Sequence, residues 1–500
     1  MKRTVLGLVA VGTVVGATAV LWRWRRRSAP ADADHSARPR GAGCPARVPG
    51  DAQRPARPAR HAARAVATPS TGPAGCSASA ERPKGCDTAF ELRTASQVAE
   101  SLGHMKGALM KLGQMASYLD AGLPEPVREA LGQLQQDAPP MSAELVHEQV
   151  ARELGGPPTT VFAEWDDVPI ASASIGQVHR AMTHEGEAVA VKVQYPGVDE
   201  AIRSDLSNVD FLFNAMGVLF PGMEPEPIVE ELAARALEEL DYRTEAANQR
   251  YFADYYEDHP FIHVPRVVDR HSTGRVLTTE LADGARFDEM LTWSEHERNL
   301  AAESLYRFAF GSIYRLNVFN GDPHPGNYLF RPGGRVTYLD FGLVKHFEDE
   351  VPIFMEMIEA MVIDRDVRRF REIVERVGVL RPGLPVTDEA IEDYFGHFYE
   401  FVSEDREVRI TEEYASESVR RFFDPGGAHG EIMKAANLPP GFVIVQRINL
   451  GLYAIFARMG ATANWRRIAE ELWPTVERAP STALGREDAA WVAARSGATG

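Results

Sequence analysis

Three short stretches constrain the fold of this chain more than anything else in it. VAVK (residues 189–192) ends an apolar, strand-like run on Lys192. About 130 residues later, DPHPGN holds Asp322 five positions before Asn327, and TYLDFG then delivers Asp340, Phe341 and Gly342. A lysine, two carboxylates and an amide so far apart in sequence form a chemical unit only if the lysine strand is folded back over the later loops. Between them RVLTTEL (residues 275–281) has the β-branched, alternating pattern of a strand and suits a hinge between two lobes.

Upstream, ASASIGQVH (residues 171–179) sets Ala171, Ala173, Gly176 and Val178 at the spacing of a G-x-G-x-x-G-x-V phosphate loop. Lys192 follows Val178 by fourteen residues, the place of the lysine that holds α and β phosphates. Asp322 and Asn327 match the D-x-x-x-x-N of a kinase catalytic loop, and Asp340 opens the DFG motif. Phosphoryl transfer needs this set: Asn327 and Asp340 would hold Mg²⁺ against the phosphates, and Asp322 would orient or deprotonate the nucleophile. The nucleotide-binding candidates are Ala171, Ser172, Ala173, Ser174, Gly176, Val178, Ala190 and Lys192, with Glu280 at the hinge. The alternative, that DPHPGN is only a turn and DFG only a strand end, leaves the order of the motifs to chance. No G-x-x-x-x-G-K-[ST] occurs, and ASASIG leads into a strand pattern rather than a helix, so neither a P-loop NTPase nor a dinucleotide fold is supported. His179 and His324 lack a third ligand at metal-site spacing and read as packing or hydrogen-bonding residues.

These residues resemble the UbiB/AarF family of atypical kinases, over roughly residues 95–475. The family's K-x-G-Q stands as Lys111, Leu112, Gly113 and Gln114, its alanine-rich loop as ASASIGQVH, and its E-x-D as Glu239, Leu240 and Asp241. The resemblance implies an α+β, two-lobed protein-kinase-like fold with an N-terminal helical extension. It also implies that Glu245 pairs with Lys192, that Glu239 meets Lys111, and that ATP and Mg²⁺ are the cofactors. Read as one helix, Glu239 and Glu245 are separated by about 600° of rotation and so face different lysines. Alanine in the loop restricts how closely the backbone can settle over phosphates. In the family, that loop and K-x-G-Q are taken to limit transfer to protein, leaving ATP hydrolysis or small-molecule phosphorylation, with a role in isoprenoid quinone synthesis or lipid homeostasis.

Two departures and one further feature bear on this reading. Many members carry His two residues before the catalytic Asp, where this chain has Asn320. Membrane helices expected at the C-terminus of some bacterial members are replaced by FVIVQRINLGLYAIFARMG, interrupted by Gln446, Arg447 and Arg458, which reads as a buried amphipathic helix. After DFG the sequence turns almost at once into an apolar helical pattern and never reaches A-P-E, so no peptide platform is evident.

Charge divides the chain. The formal net charge of −17 is the sum of +11 over the first 86 residues and −28 over the remainder. Residues 4–22 are nearly free of charge and, at roughly 28 Å as a helix, match a hydrocarbon core of about 30 Å. Arg23, Arg25, Arg26 and Arg27 outweigh Lys2 and Arg3, which places the body on the cytoplasmic side of an uncleaved anchor. A cleaved signal peptide and a mitochondrial leader are the rivals. Residues 28–88, rich in Ala, Pro, Arg and Gly, read as a disordered tether. All three cysteines (Cys44, Cys76, Cys86) fall there, so the body uses no disulfide and no cysteine-ligated metal.

The domain reading is an anchor over 1–27, a linker over 28–88, a helical extension with K-x-G-Q over 89–165, an N-lobe over 166–282, a C-lobe over 283–475 and a flexible tail over 476–500. ATP, a membrane lipid or isoprenoid quinone precursor, and membrane-associated biosynthetic enzymes are the expected partners, and the acidic body argues against nucleic acid. A conventional Ser/Thr protein kinase and a nucleotide-gated scaffold without turnover are the competing functions.

Overall fold

The structure is a computed structural model that describes residues 141–498 apart from 174, 208–236, 348, 424–427 and 436–439. The apolar leader, the tether, Lys111, Gly113, Gln114 and Ser174 lie outside the described residues.

The upper layer is a five-stranded antiparallel sheet of β1 (Glu164–Trp165), β2 (Ala171–Ala173), β3 (Gly176–Met182), β4 (Ala188–Gln194) and β6 (Val276–Glu280). β1 and β2 share one edge of β3, β4 lies on the other, and β6 pairs with β4. The alternation of AVAVKVQ determines which side is which. Val189, Val191 and Val193 bury completely on the outer face with Ala181 and Val276, under Val146 and Val150 of helix α1 (Ala143–Leu154). The inner face meets a second core of Ile175, Leu240, Tyr242, Ala246 and Leu277, built around the start of helix α3 (Tyr242–Tyr255). A shorter helix, α2 (Val198–Ser207), adds Ile202 to that core. Each such aliphatic side chain contributes about 1.5–3 kcal/mol on full burial.

The lower layer is mostly helical and holds the largest core. Its axis is α4 (Glu295–Leu316), opened by a capping pair in which Ser294 accepts from the Glu297 amide at 3.3 Å and closed by Asn317 in a left-handed turn. Two small strand pairings rest on it. β7 (Val318–Asn320) pairs antiparallel with β10 (Val344–His346), while β5 (Ile262–His263), β9 (Arg335–Tyr338) and β8 (Tyr328–Arg331) form a three-stranded sheet in that order. Helix α5 (Glu350–Ile358) starts eight residues after Gly342, as the apolar pattern after DFG predicts. Helix α6 (Pro440–Met459) buries Ile448, Leu452, Tyr453, Ile455 and Phe456, the amphipathic helix expected there. Among the described residues no helix is long and apolar enough to cross a membrane.

Two expectations are corrected. The expected flexible tail over 476–500 is corrected for the described residues: α7 (Ala483–Ala498) is a helix that buries Leu484 and Asp488. Its sequence carries no continuous apolar stripe because its docking face mixes Leu484 and Trp491 with the ion-paired Asp488. Glu239 and Glu245 do not share a helix, because α3 begins only at Tyr242. Asp241 ends the preceding turn and caps α3, its carboxylate accepting from the Arg243 amide at 3.0 Å, so the rotation argument between the two glutamates does not apply.

Candidate active site

The pairing register sorts the phosphate-loop residues by face. Ala171 lies opposite Val178, Ala173 opposite Gly176, and Val178 opposite Lys192, while Ala190 precedes Lys192 by two positions. All six therefore point to the inner, cleft face. Ser172 pairs with Gln177 and Glu280 with Val189, which puts both on the outer face. The Glu280 carboxylate instead lies 3.5 Å from the His263 imidazole, whose hydrogen bond holds its pKa below the usual carboxylate range.

The same hairpin shows why one glycine is kept and two are replaced. A Cβ on Gly176 would fall 2.4 Å from the Val193 carbonyl and 2.8 Å from the Tyr242 hydroxyl, so no side chain fits. Neither Ala171 nor Ala173 has a positive φ, so the freedom that glycine offers is not used there. The loop is a tight β-hairpin with methyl groups on its cleft side.

Lys192 is the hub of the cleft. Its Nζ donates to Glu245 Oε1 at 2.7 Å and Oε2 at 2.9 Å, and reaches Asp340 Oδ2 at 3.5 Å. Its side chain is 15% exposed and that of Glu245 only 7%, so little solvent screens the pair. Burial works against the ammonium, but the Asp340 and Glu245 carboxylates outweigh it and hold the lysine pKa above its usual range. The Tyr242 ring lies 5.1 Å from Nζ. Its hydroxyl is buried without a hydrogen-bond partner, and burial pushes its pKa up.

The β7–β10 ribbon organises the other half. It presents residues 321–327 and 340–343 from neighbouring strand ends, and Gly321 donates its amide to Leu343 O at 2.7 Å. Asn327 Nδ2 donates to Asp322 O at 3.0 Å and Oδ2 at 3.2 Å, which fixes the Asp322 carboxylate and leaves the Asn327 amide oxygen as an acceptor. His324 accepts from the Gly326 amide at 3.1 Å, a local turn role. His179 likewise contacts Gln177 and the Asp166 carbonyl on the outer face. Asp340 Oδ1 accepts from the Gly342 amide at 2.9 Å. Carboxylate oxygens and an amide oxygen are the hard donors that Mg²⁺ takes, so Asp340 and Asn327 fit that ion.

Asn320, which stands where many members of the family carry His, donates to Asp340 O at 2.7 Å and so ties the catalytic loop to DFG, although its own Oδ1 is buried and unpaired. Several other residues that complete the site were not singled out from sequence. Asn248 donates to Phe341 O at 3.0 Å, and Phe252 packs its ring 5.0 Å from that of the fully buried Phe341. Asn248 and Phe252 stand three and seven residues after Glu245, the spacing of one helix face, which is the signal that could have found them. Gly451 on α6 approaches so closely that a Cβ there would lie 2.6 Å from Pro323, and nothing local announces that contact.

Comparison with known proteins agrees with this geometry. The ABC1 atypical kinase-like domain family matches residues 133–374. The rat protein "Atypical kinase COQ8B, mitochondrial" is 34% identical over 276 residues, covering 54% of this chain and 52% of its own length. "Atypical kinase coq-8, mitochondrial" of Caenorhabditis elegans is 32% identical over 293 residues, 57% of this chain and 39% of its own. The chain thus spans about half the length, or less, of these two relatives. A solved Mycobacterium tuberculosis structure, described as the complex of Rv3197 with erythromycin, superposes with a TM-score of 0.57 at 32% identity, covering 79% of this chain and 99% of that one. The ordered motifs, the lysine hub between two lobes and these likenesses together make the chain a member of the UbiB/AarF family of atypical kinases, with the family's kinase-like fold.

Proposed function

We propose that this protein binds Mg-ATP in the cleft and either hydrolyses it or passes its γ-phosphoryl group to a small lipid-related acceptor, in support of isoprenoid quinone synthesis or membrane lipid homeostasis. The observation that carries the reading is the three-way contact of Lys192 with Glu245 and Asp340, which holds one partly buried cation where the phosphates of a nucleotide would need it. Lys192 positions α and β phosphates, and Glu245 fixes Lys192. Asp340 and Asn327 hold the Mg²⁺, which neutralises charge on the phosphates when bound. Asp322 takes the proton of the attacking water or hydroxyl as its oxygen bonds to the γ phosphorus and ADP leaves.

Two observations favour a small acceptor over a protein. The hairpin carries methyl groups where glycines would let it collapse further, and the segment after DFG passes directly through β10 into α5. The quinone link rests on family membership, and the apolar leader would supply the membrane anchor. A mitochondrial setting, as in the names of the rat and nematode relatives, is the alternative location.

The test is phosphate release from Mg-ATP by the full chain, with and without liposomes carrying an isoprenoid quinone precursor, beside a generic protein acceptor. Release rises several-fold with the loaded liposomes and the protein acceptor stays unlabelled. Efficient labelling of the protein acceptor with no response to lipid would replace this reading with that of a conventional protein kinase. Erythromycin belongs in the same assay, since the M. tuberculosis relative was solved with it.

A further inference from the structure

Helix α3 carries Glu245 in its first turn and Asn248 and Phe252, the partners of Phe341, further along. Its amino end is fixed by the Asp241 cap and by donation of the Tyr242 amide to Gly274 O at 2.9 Å. Its other end is held by the last helix of the chain. The Trp491 indole of α7 packs against Tyr255, Tyr256 and His259, with ring centroids 5.6, 6.0 and 4.6 Å away, and donates its N–H to Glu257 O at 3.1 Å.

One turn earlier on the same helix, Asp488 anchors α7 to the lower lobe. Its carboxylate accepts both Arg315 nitrogens, at 2.9 and 2.7 Å, and lies 3.3 Å from His259 Nε2 and 3.6 Å from Arg307. Asp488 is 3% exposed. Arg307 and Arg315 belong to α4, the axis of the lower lobe, whereas Tyr255 and Tyr256 close α3. α7 therefore bridges the helix that presents Glu245 and the lobe that presents Asp322. Apolar packing alone would tolerate sliding, but a bidentate buried ion pair and an indole N–H bonded to one carbonyl select a single register.

We infer that α7 is a positioning element for the active site: Asp488 and Trp491 hold the carboxyl end of α3 so that Glu245 stays on Lys192 and Asn248 and Phe252 stay on Phe341. In phosphotransferases of this fold the ion pair between the strand lysine and the helix glutamate has to be in place for turnover, so the end of that helix is a point where activity can be set. Stated for catalysis, this rests on the Mg-ATP reading above, while its structural half does not.

The experiment compares the full wild-type chain with Trp491→Ala and Trp491→Phe by hydrogen exchange, ATP turnover and thermal melting. In Trp491→Ala the amides of residues 245–255 exchange about tenfold faster and kcat falls about tenfold, with exchange in α4 unchanged, the size expected of a coupled packing contact. Trp491→Phe keeps the ring contacts, loses the bond to Glu257 O and restores most of both. If the alanine variant does not fold, the phenylalanine variant carries the test with the same exchange readout, a rate above wild type in α3 being required. A lower melting temperature with unchanged α3 exchange and unchanged kcat would make α7 ordinary packing and overturn the proposal. Should the wild type release no phosphate at all, the exchange data still decide the structural claim and the failure lies with the Mg-ATP reading.

Discussion

Lys192→Met lowers ATP turnover by about 10²–10³-fold and weakens nucleotide binding as well, the loss typical of one preorganised charge aimed at developing negative charge. Two effects add. The variant removes the cation that meets the phosphates, and it leaves the Glu245 and Asp340 carboxylates facing one another in a poorly solvated cleft. Nucleotide then meets net negative charge where it had met a neutralised cluster. Glu245→Gln is milder by about tenfold, since the amide oxygen still accepts from Lys192 and the cation remains. Steady-state kcat and KM for the two variants, with a titration of ATP binding, check the order. An equal loss in both would mean that Glu245 acts on the nucleotide directly rather than through Lys192.

The second large effect is on stability. Arg307 is 2% exposed and donates to Glu303 Oε1 at 2.8 Å, Glu471 Oε2 at 2.6 Å and the Thr482 hydroxyl at 3.2 Å. Burial disfavours its guanidinium, and the carboxylates of Glu303 and Glu471 outweigh that cost. Arg307→Ala strands those carboxylates in the core of the lower lobe, so it destabilises by about 3–5 kcal/mol. Against a total of about 5–15 kcal/mol, that is enough to leave a large unfolded fraction at growth temperature. Urea unfolding followed by tryptophan fluorescence measures it. A loss below about 1 kcal/mol, the usual worth of an exposed pair, would show that water reaches the cluster.

What could be read from sequence, and what could not, follows the range of the interactions. The alternation of AVAVKVQ assigns Lys192 and Ala190 to one face and the three valines to the other, because strand periodicity is a local property. The Asp322 and Asn327 spacing likewise closes a single turn, and the hydrogen bond between them spans five residues. Pairing of Glu245 with Lys192 joins residues 53 apart and came only from family resemblance. Glu239 lies outside the helix of Glu245, because Asp241 between them is itself the stop and start signal. Glu280 stands at the hinge, where sequence alone points to the nucleotide, but the register with Val189 turns its side chain to the outer face. The last helix was invisible for a different reason: its anchors, Asp488 and Trp491, find their partners more than 170 residues earlier.

The central claim is that this cleft turns nucleotide over rather than merely holding it. Its most direct test sets wild type beside Asp322→Asn in two measurements on the same preparations, Mg-ATP affinity by titration and phosphate release at saturating ATP. The account predicts matched affinities and a loss of about 10²–10⁴-fold in phosphate release for the variant, the contribution of a positioned general base. Equal binding with no phosphate released by either protein, with or without lipid, would contradict it and leave a nucleotide-gated scaffold.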